Sequence, residues 1–285
     1  MRICPQPDRL FPVARVLVLL VSGFTTALAF AGPPFKTDDP EPVPWRHYEA
    51  YVFGTVDRGL GVSSWTLPAF EFNVGAAPNL QLHVVIPGAY GTPMGHYGIG
   101  DVELGAKYRL VRETGTRPEV GVFPLLELPT GDSSFGLGNG QVWARLPVWI
   151  QKSYGPWTSY GGVGYQINHA PGMKDSLFAG WLIQRQITKR LVLGTEIYHQ
   201  EAQSVGARQA TFVDPGGYYN FRENLSLLFM LGIRSAVNAT PRDTSGCTTR
   251  GVANSRHLEV DREDEQNRSA NRDRSGCRSR RQAAG

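Results

Sequence analysis

The sequence predicts an all-β fold: a transmembrane antiparallel up-and-down β-barrel of about twelve strands, eleven of them visible. Three observations predict it. The stretch Gly100 to Arg112 alternates without a break: Val102, Leu104, Ala106, Tyr108 and Leu110 take one parity, and Asp101, Glu103, Gly105, Lys107 and Arg109 the other. A strand sends successive side chains to opposite faces, so one face is apolar and the other carries four charges. Segments of about ten residues, the length a tilted spanning strand needs, recur between Tyr48 and Ile233. The connections between them alternate short and long, which a membrane barrel requires and a sandwich does not.

The first 31 residues read as a secretory signal peptide. Arg2, Arg9 and Arg15 precede an apolar run from Val16 to Phe30, and Ala29-Phe30-Ala31 ends it with the small residues a signal peptidase reads. An uncleaved helical anchor is the rival, because the run approaches the roughly 20 residues that span a bilayer. The small-residue end followed at once by Gly32-Pro33-Pro34 favours cleavage. No later run is long enough for a spanning helix, so further membrane residence must come through strands. Residues 32–47 are then a Pro-rich periplasmic lead-in.

The barrel is assigned to residues 48–243. Tyr48 to Arg58 is a first strand, ended by Asp57-Arg58-Gly59-Leu60-Gly61. Ser64 to Val74 follows and turns at Gly75 to Asn79 into Leu80 to Tyr90. A Gly-rich loop with Met94 and His96 leads to the alternating stretch, and Glu113 to Pro118 turns it into Glu119 to Pro129. The loop Gly131 to Gly140 precedes Gln141 to Lys152, where Val142, Ala144, Leu146, Val148 and Ile150 alternate with Gln141, Trp143, Arg145, Trp149 and Gln151. Ser153-Tyr154-Gly155-Pro156 is a tight turn before Trp157 to Ile167. Leu177 to Gln186, Leu191 to Gln200, Ala207 to Phe221 and Leu225 to Ile233 complete the eleven. Pro68, Pro87, Pro124 and Pro147 lie inside strands and remove ladder donors, so bulges or strand ends must absorb them. Trp65, Tyr90, Tyr108, Trp149, Tyr154, Trp157, Trp181, Tyr198 and Tyr218 sit towards strand ends, as an aromatic girdle requires.

After Asp243 the alternation stops. Residues 244–285 contain no Phe, Trp or Tyr, and from 245 onwards nine Arg stand against six Asp plus Glu. That surplus supplies most of the formal charge of +4, which leaves the body near neutral and gives no reason to expect a nucleic-acid partner. A segment so poor in apolar residues cannot bury enough surface to fold. It is expected to be a disordered tail, read as out-of-frame translation in place of a twelfth strand. Cys4 leaves with the leader and Cys247 and Cys277 fall in the tail, so the body is built without disulfides.

Several strings resemble one known group: GPPFKTDDPEPV at Gly32 to Val43, ELGAKYR at Glu103 to Arg109, GVFPLLELPTGD at Gly121 to Asp132 and LGNGQVW at Leu137 to Trp143. QKSYGPWTSYGGVGY at Gln151 to Tyr165 and GWLIQRQIT at Gly180 to Thr188 belong with them. The chain resembles the bacterial outer-membrane barrel family named for the meta-pathway of phenol degradation. The resemblance runs from Gly32 to Asp243 and implies an outer-membrane, transporter-like barrel. It also implies a last strand ending in an aromatic residue that the barrel-assembly machinery reads, which residues 244–285 lack.

No catalytic constellation stands out. Asp101 with Glu103 resembles a carboxylate pair, but Lys107 and Arg109 share their face, and a lumen wall of mixed charge accounts for all four. Gly136-Leu137-Gly138-Asn139-Gly140 has the wrong glycine spacing for a dinucleotide loop. Gly131-Asp132-Ser133 lacks the second glycine of a nucleophile elbow. His47, His83, His96, His169 and His199 are scattered singly, without metal-ligand spacing, and no cofactor is expected. The lumen-facing candidates are Glu71, His83, Asp101, Glu103, Lys107, Arg109, Glu119, Glu127, Arg145, Gln184 and Glu196. The expected function is an outer-membrane channel for small, aromatic or hydrophobic compounds, with lipid, the assembly machinery and the solute as partners. Two alternatives stay open: an outer-membrane lipid hydrolase using Ser133, and an exported soluble β-rich binding or structural protein.

Overall fold

The computed structural model describes residues 34–58, 63–91, 95–235 and 247–253. The expected signal peptide, Gly59 to Gly61, Met94, residues 236–246 and the tail from residue 254 lie outside the described residues.

Fourteen strands form one antiparallel sheet. They are β1 (Tyr48–Arg58), β2 (Ser63–Ala77), β3 (Leu80–Gly91), β4 (His96–Ile99), β5 (Val102–Val111), β6 (Glu119–Val122) and β7 (Leu125–Leu128). The second half supplies β8 (Trp143–Tyr154), β9 (Trp157–Ile167), β10 (Ser176–Gln186), β11 (Leu191–Gln200), β12 (Ala210–Arg222), β13 (Leu225–Ser235) and β14 (Cys247–Ala253). β4 and β5 lie end to end along β3, and β6 and β7 end to end between β5 and β8. Fourteen strands therefore make twelve staves. β3 pairs with β5 and β1 pairs with β14, so the sheet closes on itself and no edge is left open among the described strands.

The closing stave corrects the expectation of a wholly disordered tail. Cys247–Ala253 pairs with β13 on one side and with β1 on the other. No apolar alternation announces it; what recruits it is two facing rows of unpaired backbone groups, which need a strand between them whatever its side chains.

The broken staves also locate the prolines. Pro68 lies at the register shift between Thr66 and Ala69, and Pro124 separates β6 from β7. The Pro87 carbonyl accepts the Gly100 amide where β4 gives way to β5, and the Pro147 carbonyl accepts that of Phe123. Each missing donor thus falls at a bulge, at a break, or beside one.

The outer face is apolar. Phe70, Leu104, Tyr108, Val163, Ile183 and Ile197 are all exposed, each at an outward parity. Leu104→Arg would put a charge on this belt at a cost of about 2–4 kcal/mol near the bilayer midplane. The expected outcome is a folded band on unboiled gels that converts to the unfolded one at a lower temperature than wild type. Trp65, Tyr90, Tyr108, Tyr154, Trp157 and Trp181 are exposed on this face. Trp149, Tyr198 and Tyr218 correct the girdle: they are buried and point inward, as the polar parity of Trp149 with Arg145 and Gln151 requires.

A second correction positions the site. The Pro-rich segment is not a lead-in outside the barrel. Pro34, Phe35, Thr37, Asp39, Pro40 and Val43 are buried, and their partners lie on strands all round the wall. Residues 34–47 form a strap across the lumen.

Candidate functional site

The lumen has two distinct ends. At one, the connections are tight: 78–79, 155–156, 187–190 and 223–224, with 112–118 the longest. At the other they are longer, notably 129–142, 168–175 and 201–209. The strap runs across the interior between two cavities. A chamber of about 500 Å³ lies towards the loop end, lined among others by Glu71, His83, Glu103, Phe123, Arg145 and Phe178. A second of about 630 Å³ lies towards the turn end, against Gln151, Tyr160, Gln184, Arg190, Tyr218 and Arg222. Asp39 and Glu41 border both, so the middle of the strap is the partition.

The strap is held by the charged faces of the strands. Glu196 is fully buried, and its two carboxylate oxygens accept the backbone amides of Lys36 and Thr37, each at 2.8 Å. The Lys36 ammonium reaches Asp214 at 2.5 Å and lies 4.4 Å from the Phe212 ring centre. Phe35 packs with Tyr160, Leu182 and Met230. Lys107 sits 3.0 Å from Asp38 and 3.5 Å from Asp39, and Arg109 sits 3.7 Å from Glu41. At the far side, Gln81 accepts the Val43 amide at 2.8 Å. Burial pushes the Asp39 carboxyl up to about 7 against the pull of Lys107, and burial followed by the charge of Glu119 raises that of Glu41.

In the loop-end chamber a polar cluster faces an aromatic wall. His83 joins Asn73 through Nδ1 (2.6 Å) and Glu103 through Nε2 (2.9 Å), and its ring meets Phe123 edge-on at 5.2 Å. Glu71 accepts from Asn73 at 2.7 Å. Glu127 stands opposite Glu103 in the ladder. The Arg145 guanidinium lies 4.3 Å from the Phe178 ring centre and donates to the Tyr198 hydroxyl at 2.8 Å. Phe123, Trp149, Phe178 and Tyr198 make one buried cluster. The chamber therefore offers ring-sized apolar surface with acceptors and donors at its rim, the usual lining of a small-molecule site.

The sequence-derived residues separate into three groups. Glu71, His83, Asp101, Glu103, Lys107, Glu127 and Arg145 border the loop-end chamber, and Gln184 borders the other. Arg109, Glu119 and Glu196 border neither. Arg109 bridges Glu119 (3.4 Å) and Glu41, and Glu196 is covered by the strap. Asp101 also shapes the 129–142 loop. Its oxygens accept the amides of Gly131 (3.0 Å) and Asn139 (2.6 Å), which ties that loop to a residue bordering the chamber. Ser133 opens a single 3-10 turn in the same loop, capped by Asp132, whose carboxyl is held below its ordinary range by the Ser134 hydroxyl and amide. The neighbouring His96 ring meets Phe135 at a tilt of 40°, with ring centres 3.9 Å apart. Sequence reasoning missed the strap acids and Lys36. The signal available was the run of charges between prolines, but nothing local says that such a run turns inward.

Among the described residues no group of His, Cys, Asp and Glu is arranged to hold a metal ion. The sequence profile of a family described as "Putative MetA-pathway of phenol degradation" matches residues 51–250. No curated protein matches the chain. Among solved structures, an outer membrane channel from Pseudomonas putida F1 is similar at 17% identity and a TM-score of 0.55, over 77% of this chain and 98% of that one. A mutant of the Rh. blastica porin follows at 10% identity and a TM-score of 0.25, over 74% and 98%. The outer membrane protein OprG from Pseudomonas aeruginosa aligns at 11% identity and a TM-score of 0.20, over 78% and 100%.

Proposed function

The chain belongs to the family described as "Putative MetA-pathway of phenol degradation", and from that premise we propose that it is an outer-membrane channel for small aromatic or hydrophobic compounds, reached by signal-peptide export. The observation that carries the reading is the loop-end chamber: Phe123, Trp149 and Phe178 line it beside Glu71, Glu103 and Arg145. A ring enters against the aromatic wall, while a hydroxyl finds acceptors or donors at the carboxylates and the guanidinium. Mixed charge along the wall leaves selection to size and local polarity rather than to the sign of an ion. The eight inward candidates that border a chamber act by contact and field, with no covalent step.

The test is current through a planar bilayer. The purified chain is expected to give stepwise current that phenol interrupts in a concentration-dependent way and that sucrose at equal concentration leaves alone. Absence of steps would sink the channel reading. Steps indifferent to phenol would keep the channel and reject the aromatic solute.

A further inference from the structure

The strap is held in two different ways along its length. Its first end, Phe35 to Thr37, is fixed by contacts that exclude water. Phe35 is 1% exposed in its apolar cluster, and consecutive amides of Lys36 and Thr37 share one buried carboxylate. Thr37 also lies over a glycine: a Cβ built on Gly180 would stand 3.1 Å from the Thr37 Cβ and collide with its hydroxyl oxygen, so no side chain fits there while Thr37 keeps that hydroxyl. The second end, Val43 to His47, is fixed by backbone. The Val43 amide is bound by Gln81, the Arg46 amide donates to the Gly75 carbonyl, and the Gly75 amide donates to the His47 carbonyl.

Residues 38–42 differ. Among the described residues, no backbone hydrogen bond ties them to the wall. Their hydrogen bonds to backbone are internal, from the Asp39 amide to Asp38 and from the Glu41 amide to Asp39. The wall reaches them by ion pairs from Lys107 and Arg109 and by the contact of Pro40 with the Gly121 backbone. The Lys107 pairs are themselves buried, the Lys107 side chain being 4% exposed, but a pair of charges keeps its attraction through small shifts that would break a directional pair of amides on one carboxylate. This stretch, joined to the wall by side-chain contacts and not by backbone hydrogen bonds, is also the one that separates the chambers.

We infer that residues 38–42 are a hinged gate between the two chambers, which swings while 35–37 and 43–47 stay seated. The inference rests on the channel reading. A solute in the loop-end chamber whose hydroxyl accepts a hydrogen bond from Lys107 loosens that residue's pairs with Asp38 and Asp39, the middle of the strap lifts, and the solute passes without the strap leaving the barrel.

Two reversible cross-links test it, in full-length protein with Cys4, Cys247 and Cys277 changed to Ser. The first, Pro40→Cys with Gly121→Cys, pins the middle; the Pro40 Cβ and a Cβ on Gly121 stand 3.0 Å apart, so a small shift reaches disulfide distance. The second, Thr37→Cys with Gly180→Cys, pins the first end. Bond formation is read by intact mass and function by bilayer current before and after dithiothreitol. The middle bond is expected to reduce current to the bilayer background and release it on reduction, whereas the end bond leaves current unchanged. Block by the end bond would show that the strap must leave bodily, which overturns the hinge. Current unaffected by a formed middle bond would show passage around the strap, which also overturns it. Asp38→Asn with Asp39→Asn gives an independent reading if the cysteine pairs assemble poorly: current rises about fivefold or more, the factor for roughly 1 kcal/mol of lost latch. An unchanged current in that variant rejects the latch. A parent protein that carries no current at all fails the channel reading itself, and the inference with it.

Discussion

Truncation after Ser235 is expected to abolish the compact band that shifts on boiling, whereas truncation after Ala253 is expected to leave it intact. The reason is backbone accounting. β14 pairs with β13 from Leu227 to Ile233 and with β1 from Val52 to Asp57. Without it, both ladders become open edges at membrane depth, where each unpaired N–H or C=O costs several kcal/mol. No packing gain in a domain of ordinary stability offsets a row of them. The measurement is gel mobility of boiled and unboiled outer-membrane fractions for the two truncations. A compact band from the shorter chain would mean that β13 and β1 pair directly and that β14 is dispensable. Loss of the band in the longer one would place closure in residues 254–285.

Glu196→Ala is expected to release the first end of the strap and raise current about 100-fold or more in the bilayer assay. Two amide bonds to a buried carboxylate disappear together. Bonds to charged groups contribute about 1.5–3 kcal/mol each, and every 1.4 kcal/mol is a factor of ten in population. The Lys36 pair with Asp214 and the Phe35 cluster remain, so the barrel itself stays assembled. Trypsin gives a second readout, because the Lys36–Thr37 bond becomes accessible once the strap is loose. Glu196→Gln keeps one acceptor oxygen and is expected to fall between wild type and Ala. A folded Glu196→Ala barrel with unchanged current and no new cleavage would reject Glu196 as the anchor.

Much of the wall was legible because a strand has a period of two. Lys107 and Leu104 are three residues apart and so face opposite ways; in the structure Lys107 is 3% exposed and Leu104 40%. The same rule placed Glu71, His83, Glu103 and Arg145 on the inner face from spacing alone. Tight turns such as 155–156 and 223–224 were legible from local Gly, Pro and Asn. The breaks at Gly100-Asp101 and Phe123-Pro124 were foreshadowed only by the prolines, because a break needs the neighbouring strand to show where pairing stops.

What the sequence by itself determined is therefore the class of fold, eleven of the twelve staves and the inward face of strands such as Val102–Val111. Those follow from side-chain alternation and bilayer thickness, both local constraints. Only the tertiary structure decided that Cys247–Ala253 closes the ring, since its place is dictated by the edges it satisfies rather than by its own pattern. Only the tertiary structure decided that residues 34–47 lie within the lumen. Their partners, Gln81, Lys107, Glu196 and Asp214, are scattered through the chain and come together only when the barrel closes around them.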